Sequence, residues 1–208
     1  MAAPTKPAQA GKTGTSRERI LLAAKQLFAS RGYENSSTVA IARLAGTSES
    51  QLMKHFGSKE GLLEAIFDHG WTALAAHVRE LESVNSPRDK LRMLLDMMLA
   101  GMERDPELKQ LILLEGRRIR KEGQIVLITE GFLRFVRLLD GILAQMRAAG
   151  QLRPEINLDA VRSALMGMIE GLLRDQMLAH KNGFPARYTA ADLRQMFEAL
   201  LPALAPNK

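Results

Sequence analysis

A short polar segment, residues 49–60, carries the side chains best suited to bind another molecule; it reads ESQLMKHFGSKE. Serine, glutamine and lysine can hydrogen-bond to base edges and phosphate oxygens, which is the chemistry of a DNA groove. Leu52 and Phe56, four residues apart, predict a helix anchored inward on one side. Because so short a helix is unstable alone, neighbouring elements must hold it while its exposed side is used.

Three residues of this segment each have two possible roles. Gln51 can pair with adenine through two hydrogen bonds, or it can close a capping box with Ser48, and the two uses compete for one side chain. Ser50 can reach a base edge or a phosphate. Glu49 can accept a hydrogen bond from cytosine, but at the first turn of a helix a carboxylate more often complements the helix dipole.

Cationic and hydroxyl side chains surround these candidates for base contacts. Lys54 and Lys59 are predicted phosphate contacts, which position a protein on DNA without reading its sequence. Ser37 and Thr38 offer hydroxyl groups to the other wall of the groove. His55 is either packed against its neighbours or bonded to a phosphate.

The sequence offers little to an enzyme. It has no cysteine, which excludes a disulfide, a thiolate zinc site and a cysteine nucleophile. The histidines show no ligand spacing, so we expect no metal and no cofactor; they are His55, His69, His77 and His180. Glu170 and Asp175 do not make a catalytic site by themselves. An all-α enzyme therefore stays the weaker alternative.

The overall composition is that of a globular protein with an anionic partner. The chain has 208 residues, 46% of them hydrophobic, a net charge of +6 and a pI near 9.8. This charge suits nucleic acid, although a soluble basic protein without such a partner has the same composition. The first residues lack an apolar segment, and no apolar run approaches the roughly 18 residues of a membrane span. We therefore expect a cytoplasmic protein that does not associate with a membrane.

The elements that position the candidate residues are predicted to be helices. Apolar residues recur at helical spacing and no alternating strand pattern is bounded by turns, so we predict an all-α fold of about nine helices. Caps mark their starts: Thr15, Ser36 or Ser37, Ser48, Ser58, Ser86, Asp105, Asn157 and Thr189. We expect long helices from Ser58 to at least Leu81, over residues 125–149, and from Asn157 to about His180.

Two of the short helices, joined by the turn Gly46-Thr47-Ser48, have the dimensions of a helix-turn-helix unit. Gly46 can adopt the positive φ that ends the first of them without steric cost. The second helix, residues 49–56, is short enough for its exposed side to lie in a major groove.

The runs ILLAAKQLFASRGYENSST and IARLAGTSESQLMKHFGSKEGLLEAIF, within residues 20–67, resemble the N-terminal domain of TetR-family transcriptional regulators. The elements LF-x-x-x-GY, IA-x-x-AG and HF-x-SKE-x-L make the resemblance specific. It implies a homodimer that binds a palindromic operator, usually represses, and binds an effector in its second domain. By position it implies DNA contacts from Ser37, Thr38, Ser48, Ser50, Gln51, Lys54, His55 and Lys59.

This chain departs from the family pattern at two places. Met53 stands where the family commonly has Tyr, and Val39-Ala40 stands where it commonly has a charged pair. Both changes replace polar or charged side chains that could bond to DNA. We therefore expect the affinity for DNA to depend more on Lys54, Lys59 and the basic arm. The predicted organisation is a disordered basic arm over residues 1–14, a helix-turn-helix DNA-binding domain over 15–60, and a ligand-binding and dimerisation domain over 61–208.

The second domain contains two predicted sites. Small and apolar residues on the last two helices suggest a four-helix dimer interface, against the alternative of an ordinary intramolecular core; they are Ala164, Gly167, Gly171, Leu193, Met196, Phe197 and Leu200. Methionine adapts to irregular ligands, and a Met- and Phe-rich lining predicts an apolar or aromatic effector. The candidates for the pocket are Met97, Met98, Phe132, Phe135 and Met168.

The helix beginning at Ser58 belongs to both predicted domains, so an effector that shifts its far end would change the separation of the two recognition helices. We therefore expect a ligand-responsive repressor that a small apolar or aromatic effector releases from double-stranded DNA. A non-specific architectural DNA-binding protein is the alternative, and an activator would use the same DNA-reading unit.

Overall fold

The computed structural model describes residues 14–75, 77–119 and 125–206. Within these ranges the chain forms ten α-helices, a closing 3-10 helix Leu201–Leu204 and no strand, which confirms the all-α prediction. The helices are α1 Ser16–Arg31, α2 Thr38–Leu44, α3 Glu49–Phe56, α4 Lys59–Ala75, α5 Arg79–Glu82, α6 Pro87–Arg104, α7 Pro106–Glu115, α8 Glu130–Ala148, α9 Leu158–Asn182 and α10 Ala190–Leu200. Of the predicted basic arm, residues 1–13 lie outside the described residues.

Helix α1 supports the helix-turn-helix unit. Its predicted capping box is present, with Thr15 and Glu18 bonding reciprocally. Its inward side is buried against α2 and α3. The Arg19 Nε donates to the Ala45 carbonyl at 3.1 Å, which satisfies an acceptor at the end of α2. Gly46, at φ 64°, then turns the chain towards α3.

Helix α4 joins the first three helices to the helices that follow it, because it packs against both α1 and α8. Its buried side chains are Leu62, Leu63, Ile66, Phe67 and Trp71. Ser58 caps it as predicted, accepting from the Gly61 N–H at 2.9 Å. The pairing of α7 with α1 gives a second direct connection between the halves.

Two predicted helix limits were wrong. The helix from Ser58 does not reach Leu81: α4 ends at Ala75, where the His77 and Val78 N–H groups bond three residues back, and α5 follows. The helix expected over residues 125–149 begins only at Glu130, because the Thr129 hydroxyl caps it by accepting from Phe132 N–H at 3.1 Å.

The second half is a bundle in which α8 packs against α4, α6 and α9. The N-terminus of α8 is fixed to α4, since the Gly131 N–H donates to Asp68 Oδ1 at 2.8 Å. Helix α10 is tied to α6 by two ion pairs, Arg92–Glu198 and Arg194–Asp96. None of the helices in the described ranges combines the length and the apolar character needed to cross a membrane.

Candidate nucleic-acid interface and ligand pocket

Helix α3 presents a polar surface on a buried anchor. Leu52 is fully buried, whereas Ser50, Gln51, Lys54 and His55 are exposed. The anchor therefore sets the rotation of the helix, and the candidate residues lie on the sides that face away from the core. We call this exposed surface of α2 and α3 the reading face; its predicted members are Ser37, Thr38, Ser48, Ser50, Gln51, Lys54, His55 and Lys59.

The structure contains half of the capping box predicted for α3. Ser48 Oγ accepts from the Gln51 N–H at 3.3 Å and lies 3.0 Å from Ser50 Oγ. Among the described residues, no bond returns from the Gln51 side chain to the Ser48 N–H. The exposed Gln51 amide is therefore available to a base edge, which favours the first of its two possible roles.

A side-chain bond connects the starts of α2 and α3. The Thr38 hydroxyl donates to Glu49 Oε1, and Ser37 Oγ caps α2 by accepting from the Ala40 N–H at 3.2 Å. Glu49 thus fixes the relative position of the two helices, a role that its place in the first turn of α3 did not reveal. Since Thr38 is half-buried and bonded, its hydroxyl has less freedom than that of Ser50.

Lys59 lies at the edge of the reading face and is held there. Its Nζ is 4.3 Å from the centre of the Tyr33 ring and donates to the Glu34 carbonyl at 3.4 Å. A further cation, Arg17, was missed by the sequence-based set: its guanidinium lies 5.3 Å from the Phe56 ring, at the end of α3. No local pattern shows that the first turn of α1 reaches α3, so this neighbour became visible only in the fold.

A pocket of about 350 Å³ lies between α4, α6 and α7. Its apolar lining includes Trp71, Leu74, Met98, Met102, Leu108 and Ile112. His69, His77, Arg104 and Asp105 add polar groups. The combination of an apolar wall and a few polar groups is typical of small-molecule sites.

The five residues predicted for a pocket do not share one cavity. Met98 lines the pocket between α4, α6 and α7, and with Phe135 it also lines an apolar void of about 20 Å³. Phe132 borders an open groove between α8 and α9, while Met97 and Met168 line none of the described pockets. Phe132 and Phe135 pack on the Trp71 ring with centroids at 5.2 and 4.9 Å, so they support the pocket wall from behind.

The α7 wall of this pocket is bonded to α1, the helix that supports the helix-turn-helix unit. Lys25 Nζ of α1 lies 2.6 Å from Asp105 Oδ2, while Asp105 Oδ1 caps α7 by accepting from the Leu108 N–H at 3.0 Å. The Gln110 side chain donates to the Ala29 carbonyl of α1 at 2.7 Å. A smaller cavity of about 120 Å³ lies beside α1 and shares His69, Asp105 and Leu108 with the pocket.

The predicted dimer residues divide into two groups. Ala164, Gly167 and Met196 are exposed, and Gly171 and Leu200 are half-buried. Leu193 and Phe197, also predicted for the dimer interface, are each only 1% exposed, so within the subunit they pack into the core, as the alternative of an intramolecular core expects. Among the described residues, a Cβ added at Gly167 or Gly171 would meet no atom within 4 Å, so none of them requires glycine there.

Two family models cover most of the chain. The model for bacterial regulatory proteins of the tetR family matches residues 20–66, and the model for the C-terminal region of YsiA-like proteins matches residues 71–195. The chain therefore belongs to the tetR family of bacterial regulatory proteins. It is a DNA-binding transcriptional regulator, as the helix-turn-helix geometry indicates.

Relatives and structural neighbours agree with this fold over most of their length. The nucleoid occlusion factor SlmA from Marinomonas sp. is 28% identical over 167 residues, which cover 78% of this chain and 83% of that protein. The fatty acid degradation regulator FadR from Bacillus halodurans has a TM-score of 0.78 at 22% identity, covering 92% of this chain and 97% of its own. FadR from Bacillus subtilis, in complex with stearoyl-CoA, has a TM-score of 0.79 at 20% identity, covering 91% and 99%.

Proposed function

We propose that this chain is a ligand-responsive repressor that binds a palindromic operator as a homodimer and leaves it when an apolar effector binds. The observation that carries the proposal is Asp105, which lines the pocket and pairs with Lys25 of α1. We assign residues 15–60 to DNA binding and residues 61–208 to effector binding and dimerisation. The reading face would contact DNA, with Gln51 and Ser50 towards the bases and Lys54, His55 and Lys59 towards phosphates.

The lining of the pocket supports an effector with an apolar body and an anionic end. Trp71, Met102 and Ile112 provide apolar surface. Arg104 lines the same pocket, and none of the residues the structure describes forms an ion pair with it. The structure of AibR, with a TM-score of 0.66 at 21% identity, was determined with isovaleryl coenzyme A and operator DNA, and the FadR neighbour was determined with stearoyl-CoA. An acyl thioester fits this chemistry, although an aromatic acid would share it.

The proposed coupling runs through α7. A ligand that displaces Leu108 moves the first turn of α7, to which Asp105 belongs as the cap. Because Lys25 and Ala29 of α1 are bonded to α7, α1 and the helices packed on it would follow. Two reading faces must meet half-sites about one helical turn, 34–36 Å, apart or a multiple of it, so a small shift prevents simultaneous binding. A coupling of about 1–3 kcal/mol would weaken DNA binding 5- to 150-fold.

The experiment begins with selection of duplexes from a random library at near-physiological salt. The selected operator is then titrated with protein in the presence of butyryl-, octanoyl- or stearoyl-CoA, with free coenzyme A as the control. We expect one palindromic site and release by at least one acyl-CoA. A selected site that none of these compounds releases, although one of them binds the protein, would refute ligand control.

Variants of the Lys25–Asp105 pair give a sharper test of ligand control. Asp105→Asn keeps a capping side chain for α7 but removes the charge, and Lys25→Met keeps the apolar stem. Each variant should still bind the operator while its affinity changes less with effector, and the double variant should resemble the single ones. Equal release of all four proteins would show that the pair has no part in coupling.

A second function is favoured by the relatives. Several are nucleoid occlusion factors and match more than three quarters of this chain, which supports a role in nucleoid occlusion. Specific binding without ligand response is the outcome expected for that role. Binding without sequence preference and with a steep dependence on salt would instead indicate an architectural protein.

A further inference from the structure

Two large apolar side chains are exposed among the polar groups of the reading face. Val39 of α2 is 48% exposed and Met53 of α3 is 42% exposed. Neither side chain belongs to the core that anchors these helices, which is formed by Ile41, Ala42 and Leu52. Their exposure therefore needs an explanation other than the packing of this unit.

The fold places both side chains at the junction of α2 and α3. Met53 follows Glu49 by four residues and Ser50 by three, so it shares their flank of α3. Glu49 accepts the hydrogen bond of Thr38, the residue directly before Val39. The contact between Thr38 and Glu49 therefore joins the two helices that carry these side chains, with Val39 next to Thr38 in the chain and Met53 one helical turn after Glu49.

We propose that Val39 and Met53 contact the 5-methyl groups of thymine in the major groove and select A·T pairs in each half-site. Thymine is the base that presents a methyl group there, and apolar side chains recognise it by contact. The surrounding hydroxyl and lysine side chains and the net charge of +6 favour DNA over a protein as the occupant of this surface. The proposal rests on the proposed function, because it requires the reading face to enter a major groove.

The test replaces thymine by deoxyuridine, which lacks the methyl group but keeps the base-pairing atoms. Each thymine of one half-site in the selected operator is replaced in turn, and the Kd is measured for the wild-type protein. We expect at least one position where the replacement weakens binding roughly fourfold, about 0.8 kcal/mol for one buried carbon. An operator whose half-sites contain no such position overturns the proposal.

Variants then assign the methyl contact to these residues. In Val39→Ala and Met53→Ala, the thymine and deoxyuridine operators should bind almost equally well at the position that each residue contacts. Leu114→Ala is the matched control, since Leu114 of α7 is also 42% exposed and lies in the other half of the molecule; it should keep the wild-type ratio. Because all three side chains are exposed, the variants should fold, which their melting curves verify.

The outcomes separate this inference from the proposed function. If the selection yields no specific site, the proposed function fails and the inference fails with it. If a palindromic site is selected and both alanine variants keep the wild-type ratio, the apolar pair does not read the methyl groups, while the regulator stands.

Discussion

Two faces of this molecule are open to a partner, and they differ in what identifies the partner. The reading face presents groups with defined chemistry: the exposed Gln51 amide, the Ser50 hydroxyl and the Lys54 ammonium group. The face of α9 around Gly167 and Gly171 has no side chain at these two positions, and in the described part of the chain no atom lies within 4 Å of the place where a Cβ would be. We call this second surface the small-residue face; Ala164 also belongs to it.

The difference shows that two kinds of evidence can identify the partner of an exposed surface: its residue types, or an energetic cost that the subunit alone does not explain. On the reading face the residue types themselves match phosphates and bases. On the small-residue face the evidence is energetic. Glycine inside a helix destabilises it by about 1 kcal/mol relative to alanine, and no contact among the described residues of the subunit compensates for this. A second subunit approaching closely would supply the compensation, which agrees with the proposed homodimer.

The largest expected effect belongs to a glycine that the subunit does require. In Gly131→Ala the new Cβ would lie 2.7 Å from Asp68 Oδ1 and 2.8 Å from Trp71 Cβ, so α8 and α4 must separate. We expect the free energy of unfolding, measured in urea, to fall by about 2–3 kcal/mol. Because Trp71 lines the pocket, effector binding should weaken as well.

Gly141→Ala is the control on the same helix. A Cβ there would meet no atom of the described residues within 4 Å. The residues one turn away on the same helix, Arg137 and Gln145, have long, solvent-exposed side chains. It should stabilise the protein by up to about 1 kcal/mol. Equal stability of the two variants would mean that Gly131 is not a contact between α8 and α4.

The second prediction separates the two kinds of contact on the reading face. Gln51→Ala should reduce operator affinity by about 2 kcal/mol and relax the preference at one base pair, because a bidentate base contact is lost. Lys54→Ala should weaken binding to all sequences alike and reduce the slope of log K against log salt by about 1. Titrations at three salt concentrations measure both, and a Gln51 variant with unchanged sequence preference would show that this side chain does not contact a base.

The sequence-based predictions were accurate where a feature depends on residues close together in the chain, and less accurate where it depends on distant residues. Caps such as those of Thr15 and Ser48 were predictable because each involves residues within three positions of one another. The start of α8 was missed although the Thr129 cap is equally local, since the apolar residues from Ile125 onward continue the pattern of the helix across it.

The pocket depends on contacts between distant segments. Trp71, Met102 and Leu108 come from three helices, and no local pattern shows that they meet. Choosing candidates by residue type found Met98 but also Phe132 and Phe135, which support Trp71 from outside the pocket. The same limit applies to Phe197: its apolar stripe was correctly recognised, but whether it faces the subunit core or a partner depends on α6.

The third prediction tests the small-residue face by the sign of an effect. If Gly167 lies against a second subunit, Gly167→Ala should weaken the dimer by about 1 kcal/mol through overpacking. In a monomer the same change should stabilise the helix by a similar amount. Sedimentation equilibrium gives the dissociation constant, and melting at low protein concentration gives the monomer's stability. An unchanged dissociation constant would show that this face is not the interface and would remove the main difference between the two faces.

The smallest expected effect is on stability and concerns the ion pair that holds α10, which carries the exposed Met196, to α6. Arg92 donates to both carboxylate oxygens of Glu198, each at 2.6 Å, and lowers the pKa of Glu198 below its ordinary value of 4.5. A carboxyl with a lowered pKa stabilises the fold above its unfolded pKa and loses this contribution as the pH falls through its folded value. Glu198→Gln should therefore lower stability by less than about 1 kcal/mol at neutral pH, because the pair is partly exposed and screened.

The pH dependence distinguishes this ion pair from a packing effect. The difference between wild type and Glu198→Gln should be constant above pH 4.5 and shrink as the pH falls below it, since the wild-type carboxyl then becomes neutral too. Glu103→Gln is the control, an exposed change on α6 at a residue without an ion pair in the described part of the chain. A difference that persists unchanged at low pH would assign the effect to side-chain packing instead of the ion pair.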